Sequence, residues 1–180
     1  MPRSRNLGRL DVIVLETDRL ILRHLLPDDA AFILELLNDP GWLRFIGDRG
    51  VRTLDDARAY ILKGPVVSYE RHGFGLYLTA RKVDNVPIGI CGLLRRAALP
   101  DVEVGFALLP QFCGQGYALE AAAASMAHGR SQLGLKRIAA VTVPGNERSI
   151  RLLEKLGLRF EKMIQLSAGA PEIKLYVSEA

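Results

Sequence analysis

Residues Asp101 to Glu120, DVEVGFALLPQFCGQGYALE, carry the densest chemical signal in the chain. An alternating apolar stretch runs through Pro110 into a turn holding Gly114 and Gly116, and a helix-forming segment follows. A strand that enters a helix through such a turn can bind anions. The first helical turn leaves backbone N–H groups unpaired and its dipole places partial positive charge there, while glycine removes the Cβ atoms that would hold a phosphate away. The spacing Gln111-x-x-Gly114-x-Gly116 sets these amides around one turn, although a glycine turn that merely reverses strand into helix fits it as well. No Lys-Ser/Thr follows as in a P-loop, and the third glycine of a dinucleotide fingerprint is missing. On the strand, Glu103, Gly105 and Ala107 share one face, opposite Val102, Val104, Phe106 and Leu108, so the carboxylate looks across a surface kept small. Cys113 lacks the His/Asp pattern of a nucleophile and reads as a small buried residue. His24, His72 and His128 have no ligand spacing, and no metal is expected.

The elements that must position these residues follow from periodicity and punctuation. Leu20 to Leu25 reads as a strand, and Pro27-Asp28-Asp29 opens a helix with Phe32, Ile33, Leu36 and Leu37 on one face. Asn38 to Gly41 ends it, leaving Trp42, Arg44 and Phe45 in a loop before a second helix that Thr53 and Asp56 start as a capping box. Gly64-Pro65 should kink that helix. Residues 74–81, 87–96 and 101–109 read as an antiparallel meander, and a longer helix runs from about Gly116 to Leu133, with Leu119, Ala122, Met126 and Leu133 as its apolar stripe and Gly134 as its stop. A strand over 137–143 precedes a short helix capped by Asn146, with Ile150, Leu153 and Leu156 inward and Gly157 past its end. Two final strands fall near 158–167 and 171–178. The order predicts an α/β protein with a mixed sheet and helices packed on its faces.

Composition excludes several classes. The 180 residues suit one domain, 1–180, and 49% hydrophobic with 24% charged residues is a globular balance rather than a disordered or disulfide-stapled one. No apolar run is long enough to span a membrane, and the two cysteines, Cys91 and Cys113, fit neither a zinc spacing nor a framework of bridges. A cytoplasmic protein is expected. The formal charge of +4 is unevenly placed: residues 11–62 hold 6 Lys/Arg against 10 Asp/Glu, whereas residues 128–162 hold 8 against 3. That split suits an anionic ligand on one side and a cationic one on the other. A nucleic-acid reader would interleave aromatics with its basic residues, and here the basic stretch holds only Phe160, so no nucleic-acid partner is expected.

Gln111 to Ala118 (QFCGQGYA) resembles the acetyl-coenzyme A signature Q/R-x-x-G-x-G/A of the GCN5-related N-acetyltransferases. Glu16 to Arg23 (ETDRLILR), Val102 to Phe106 (VEVGF), Asn146 to Ser149 (NERS) and Leu153 to Gly157 (LEKLG) agree in order and spacing, and together they resemble the branch of the ribosomal-protein alanine N-acetyltransferases over about residues 15–165. The resemblance implies a twisted, mostly antiparallel sheet with a parallel strand pair that splays apart, the pantetheine arm of acetyl-CoA lying between those strands. It implies backbone contacts to that arm from Ala107, Leu108 and Leu109, pyrophosphate held by the amides of Phe112, Gly114, Gln115, Gly116 and Tyr117, and cofactor contacts from Asn146 and Ser149. Asn146 also reads as a plain helix cap. The basic excess of residues 128–162 would meet the cofactor's phosphates.

The same resemblance implies an amine-bearing acceptor, a protein N-terminus or a small molecule, and an amine attacks a thioester only once deprotonated. Glu103 is the candidate general base, directly or through a water, with a solvated or salt-bridged strand glutamate as the plain alternative. A backbone N–H on the splayed strand would steady the oxyanion. Many family members carry a Tyr acid in the last helix, where this chain has Leu153; Ser149 is implied in its place, or the thiolate leaves unaided. Trp42, Arg44 and Phe45 lie where the family builds its acceptor wall, with loop packing as the alternative. The rival reading is a non-catalytic acyl-CoA-binding or sensing module, which would dispense with the base. Dimers are common in such families, so a homodimer is admitted.

Overall fold

The computed structural model describes residues 12–179. The basic start of the chain lies outside the described residues. Eight strands form one sheet: β1 (Ile13–Glu16), β2 (Leu20–Arg23), β3 (Leu76–Arg81), β4 (Pro87–Leu94), β5 (Val102–Leu108), β6 (Arg137–Thr142), β7 (Arg159–Ile164) and β8 (Ile173–Glu179). Their order is β1-β2-β3-β4-β5-β6-β8-β7, and every neighbouring pair is antiparallel except β5 and β6. The meander read from sequence is therefore present, extended by β1 at its edge.

The helices are α1 (Ala30–Leu37), α2 (Pro40–Phe45), α3 (Leu54–Ile61), α4 (Val67–His72), α5 (Tyr117–Leu133) and α6 (Glu147–Lys155). Their starts carry the expected local chemistry. Thr53 and Asp56 close a reciprocal capping box on α3, with the Asp56 N–H donating to Thr53 Oγ1 at 3.1 Å and the Thr53 N–H to Asp56 Oδ2 at 3.0 Å. At Leu62–Val66 the chain widens into a π turn around Pro65, which has no N–H to continue the α pattern. The segment Pro40 to Phe45 corrects the sequence reading, in which it is a loop. Asp39 caps it as a helix, its Oδ1 accepting from Gly41 N at 2.8 Å and Trp42 N at 3.3 Å, with Pro40 preset at the first helical position.

Two faces result. On one, α5 and α6 bury Ala121, Ala122, Met126, Ile150 and Leu153 against Val102, Val104, Ile138 and Ala140. The stripe of α5 is smaller than periodicity predicts, since Ala121, Ala122, Ser125, Met126 and Gly129 are the buried positions. A Cβ at Gly129 would stand 2.9 Å from Leu93 Cδ1, so small residues let the helix lie close to the sheet. On the other face, α1 to α3 cover Leu78, Ile90 and Leu109, while a separate cluster joins Leu99, Ala139 and Leu175. Glu103 and Gly105 of β5 lie on this face, between the strands that carry the two clusters.

Candidate functional site

The parallel seam is short. Only Val102 with Ile138 and Glu103 with Ala139 are in register, and beyond them β5 continues to Leu108 without a partner on β6. That is the splay expected from the sequence. Ladder alternation decides which backbone groups face it. Leu109 N donates to Ile88 O at 2.9 Å, continuing the β4 register that pairs Leu108 with Gly89 and Ala107 with Ile90. In an antiparallel ladder successive residues turn their N–H and C=O to opposite sides, so Leu109, Ala107 and Gly105 bond to β4 while Leu108 and Phe106 face the gap. Of the expected trio Ala107, Leu108 and Leu109, Leu108 thus turns its backbone to the gap, as Phe106 does, whereas Ala107 and the Leu109 N–H turn to β4.

At the end of β5, Pro110 to Phe112 makes one 3-10 turn, and Gly114 and Gly116 take φ of +77° and +83°, a left-handed backbone that side chains disfavour. Gly116 is the N-cap of α5 and no side chain caps that helix, which leaves its first amides available. A Cβ at Gly114 would have no protein atom within 4 Å, so the space in front of the loop is free. These features fit an anionic group seated on the loop.

Arg19 braces the loop from the β1–β2 turn, a role that no sequence motif signals. Its Nε pairs with Glu120 Oε2 at 2.6 Å, its Nη1 donates to Gln115 O at 3.0 Å, and its guanidinium stacks 4.5 Å from the Tyr117 ring centroid. Burial alone would raise Glu120, but donors from Thr17 and Arg19 reverse this and hold its carboxyl below the ordinary range. Arg81 stacks on Phe112 at 5.1 Å. The cations beside the loop thus come largely from the first half of the chain. Within the 128–162 basic excess expected to meet the phosphates, Arg137 pairs with Asp101, Glu161 and Glu179, and Arg130 donates to Ser178.

Helix α6 packs beside α5 in the same core cluster. Asn146 caps α6 as expected, its Oδ1 accepting from Ser149 N at 3.2 Å, while its Nδ2 and Ser149 Oγ make no hydrogen bond among the described residues. The cap consumes one acceptor and leaves one donor on each side chain. Burial pushes the Cys113 thiol upward, against thiolate chemistry.

Glu103 is 1% exposed, facing away from α5 as the alternation required. Its Oε2 lies 2.7 Å from Arg96 Nε, an ion pair whose angle falls outside hydrogen-bond geometry. Burial raises its carboxyl above the ordinary value and Arg96 works against that rise. The salt-bridged glutamate weighed in the sequence is therefore real, and Arg96, six places ahead of Val102, carries no periodic signal to announce it. Trp42 is 6% exposed in the α1–α3 cluster and donates Nε1–H to Gly47 O at 3.0 Å, so its indole serves packing. Arg44 is exposed and lies over the half-buried Phe45 ring. A cavity of about 580 Å³ opens at the starts of β5 and β6, lined by Leu99, Asp101, Arg137 and Leu175 among others, away from the glycine loop. No helix among the described residues is long and apolar enough to cross a membrane, and no group of three or more His, Cys, Asp or Glu side chains stands ready for a metal.

A mixed sheet with a splayed parallel pair, leading into a glycine loop at an uncapped helix, is the architecture that the resemblance to the N-acetyltransferases implies. Comparison with known proteins agrees. Residues 19–159 match the family described as acetyltransferase (GNAT) domain, and the chain belongs to that family. It is 30% identical over 154 residues to the uncharacterized N-acetyltransferase YoaA of Bacillus subtilis (strain 168), covering 84% of this chain and 86% of that one. Its fold matches an acetyltransferase from Agrobacterium tumefaciens str. C58 at a TM-score of 0.80 and 22% identity, over 98% of this chain and all of that one. It also matches RimL, a ribosomal L7/L12 alpha-N-protein acetyltransferase in complex with coenzyme A, at a TM-score of 0.78 and 17% identity over 93% and 97% of the two chains.

Proposed function

We propose that the protein transfers the acetyl group of acetyl-CoA to a primary amine, on a peptide or protein N-terminus or on a small molecule, by direct attack in a ternary complex. The observation that carries this reading is the buried carboxylate of Glu103 on β5, five residues before the unpaired strand end that leads into the glycine loop. At about 3.3 Å per residue, Glu103 lies about 16 Å from Leu108, a separation comparable to an extended pantetheine arm. Acetyl-CoA, when bound, supplies an acyl carbon activated as a thioester. The amides of Gly114, Gln115, Gly116 and Tyr117 hold the pyrophosphate, without the expected Phe112 amide, which donates to Leu109 O at 3.0 Å; Arg19 and Arg81 stand beside them, and the Asn146 Nδ2 contacts the arm. Glu103 takes the proton that the amine gives up as its nitrogen bonds to the acyl carbon. The N–H of Phe106, which faces the gap closer to Glu103 than Leu108 does, donates to the carbonyl oxygen as charge grows there. Ser149 Oγ supplies a proton to the departing sulfur. Arg44 and Phe45 are offered as acceptor-wall residues, and the acidic excess of residues 11–62 favours a cationic acceptor.

The test pairs binding with turnover. Coenzyme A at about 100 times its Kd adds about 2.7 kcal/mol, which is roughly 5 to 10 °C in Tm for a chain of this size. Glu103→Gln should keep that shift and lose about 10²- to 10⁴-fold in acetyl transfer to a panel of peptide and small amines. A shift that survives together with undiminished turnover would remove Glu103 as base. A shift without turnover in any variant, across the panel, would favour a binding module.

A further inference from the structure

We infer that Arg96 is the positioning residue of Glu103: its guanidinium holds Oε2 of the carboxylate from the β4–β5 connection and leaves Oε1 to take the acceptor's proton. This rests on the reading of Glu103 as base. The two contacting atoms, Arg96 Nε and Glu103 Oε2, are out of solvent, 2.7 Å apart, and have no hydrogen-bond partner among the described residues. A buried charge without a counter-charge would neutralise itself by taking up a proton, and a protonated carboxyl cannot act as a base. Among the described residues nothing else supplies that counter-charge. Leu94 faces Glu103 from β4 and Ala139 from β6, and Gly105 follows it on the same face. Asp101, two residues earlier, is held by Arg137 at 2.8 Å, and Arg137 also pairs with Glu161 and Glu179. Among the described residues, Arg96 is the one cation that acts on this carboxyl, opposing the upward push of burial.

The connection is built to keep Arg96 there. Its carbonyl accepts from Leu99 N at 3.3 Å in a turn, and Leu99 is buried against Ala139 and Leu175, so the loop is anchored one turn past the arginine. The side chain is 35% exposed, so it reaches solvent in part while its Nε is buried against Glu103. An arginine in this place fixes the carboxylate's orientation and keeps it ionised with a single contact, leaving one oxygen without a partner.

Isotope-edited NMR of the side-chain carboxyl carbons tests this without an acceptor or coenzyme A, with the Glu103 signal identified by its loss in Glu103→Gln. In Arg96→Gln the Glu103 midpoint should rise by about one pH unit or more, the effect of removing an opposite charge at this distance, and in Arg96→Lys it should stay nearer the wild-type value. An unchanged midpoint in a folded Arg96→Gln overturns the inference. Where Arg96→Gln is too unstable to titrate, the double variant with Glu103→Gln should regain the lost melting temperature, because the stranded carboxylate is gone; a double variant no more stable than the single one assigns Arg96 to packing and overturns the inference. Full acetyl transfer by Glu103→Gln would instead defeat the base itself, an outcome read separately from the titration.

Discussion

Glu103 pays for its position in stability, and the sign of that cost can be measured. Its folded pKa lies above the ordinary value of 4.5, first because burial penalises the charge and then despite Arg96, which lowers it. A group raised on folding contributes stability that is fully present below its unfolded pKa and is lost as pH climbs through the folded value, at about 1.4 kcal/mol for each pH unit between the two. Glu103→Gln lacks that loss. Its Tm relative to wild type should therefore climb between about pH 4 and neutrality; thermal melts across that range check it, and a constant difference would mean that the folded carboxyl is not raised. With Glu103 as the proposed base, the same rise predicts an acidic limb of acetyl transfer above the ordinary glutamate range, checked by the pH dependence of turnover. The face of Glu103 was legible because a strand alternates with period two. Its partner was not: the Arg96 contact depends on how the residue 95–101 connection turns back, which no periodicity encodes. Arg19 was hidden for the same reason, since Glu120 lies about a hundred residues away and meets it only in the fold.

Elements decide how the loop can respond to substitution. No protein atom would touch a Cβ at Gly114, so Gly114→Ala costs the left-handed backbone alone, about 1 to 2 kcal/mol. Its methyl would nevertheless stand where an anion must approach the amides. We expect Gly114→Ala to fold with a modestly lowered Tm and to lose the coenzyme A thermal shift; an intact shift would place the pyrophosphate elsewhere. Asn146 divides its functions between two atoms. Asn146→Asp keeps the capping oxygen and should hold Tm, whereas Asn146→Ala should lose about 1 kcal/mol, and both should weaken coenzyme A binding by titration because both lack the Nδ2 donor. At this scale the glycine signature, the α3 box and the α6 cap could be read directly, each being a local pattern with a local cause. The direction of the β5 backbone groups could not, because it depends on the register against β4. The helix α2 escapes a sequence reading because Pro-Gly after Asp39 reads as a stop, although Asp39 and Pro40 are also a sound start.

Across the whole molecule, the sheet consists of two antiparallel blocks, β1 to β5 and β6 to β8, sewn together by two register pairs. The mixed sheet with helices on both faces was legible because strand signals, helix signals and turn residues agreed along most of the chain. The edge strand β1 was not, being only four residues with a half-buried middle. Such a narrow seam is a mechanical fault line. Helices α5 and α6 bridge it on one face, and a ligand lodged between the strands would rivet the other end. Amide hydrogen exchange should report this directly: coenzyme A should slow exchange at Phe106 and Leu108, and also across β6 and β8, which it need not touch, because the two blocks would then open only together. Protection confined to the glycine loop would show blocks that open independently of the ligand.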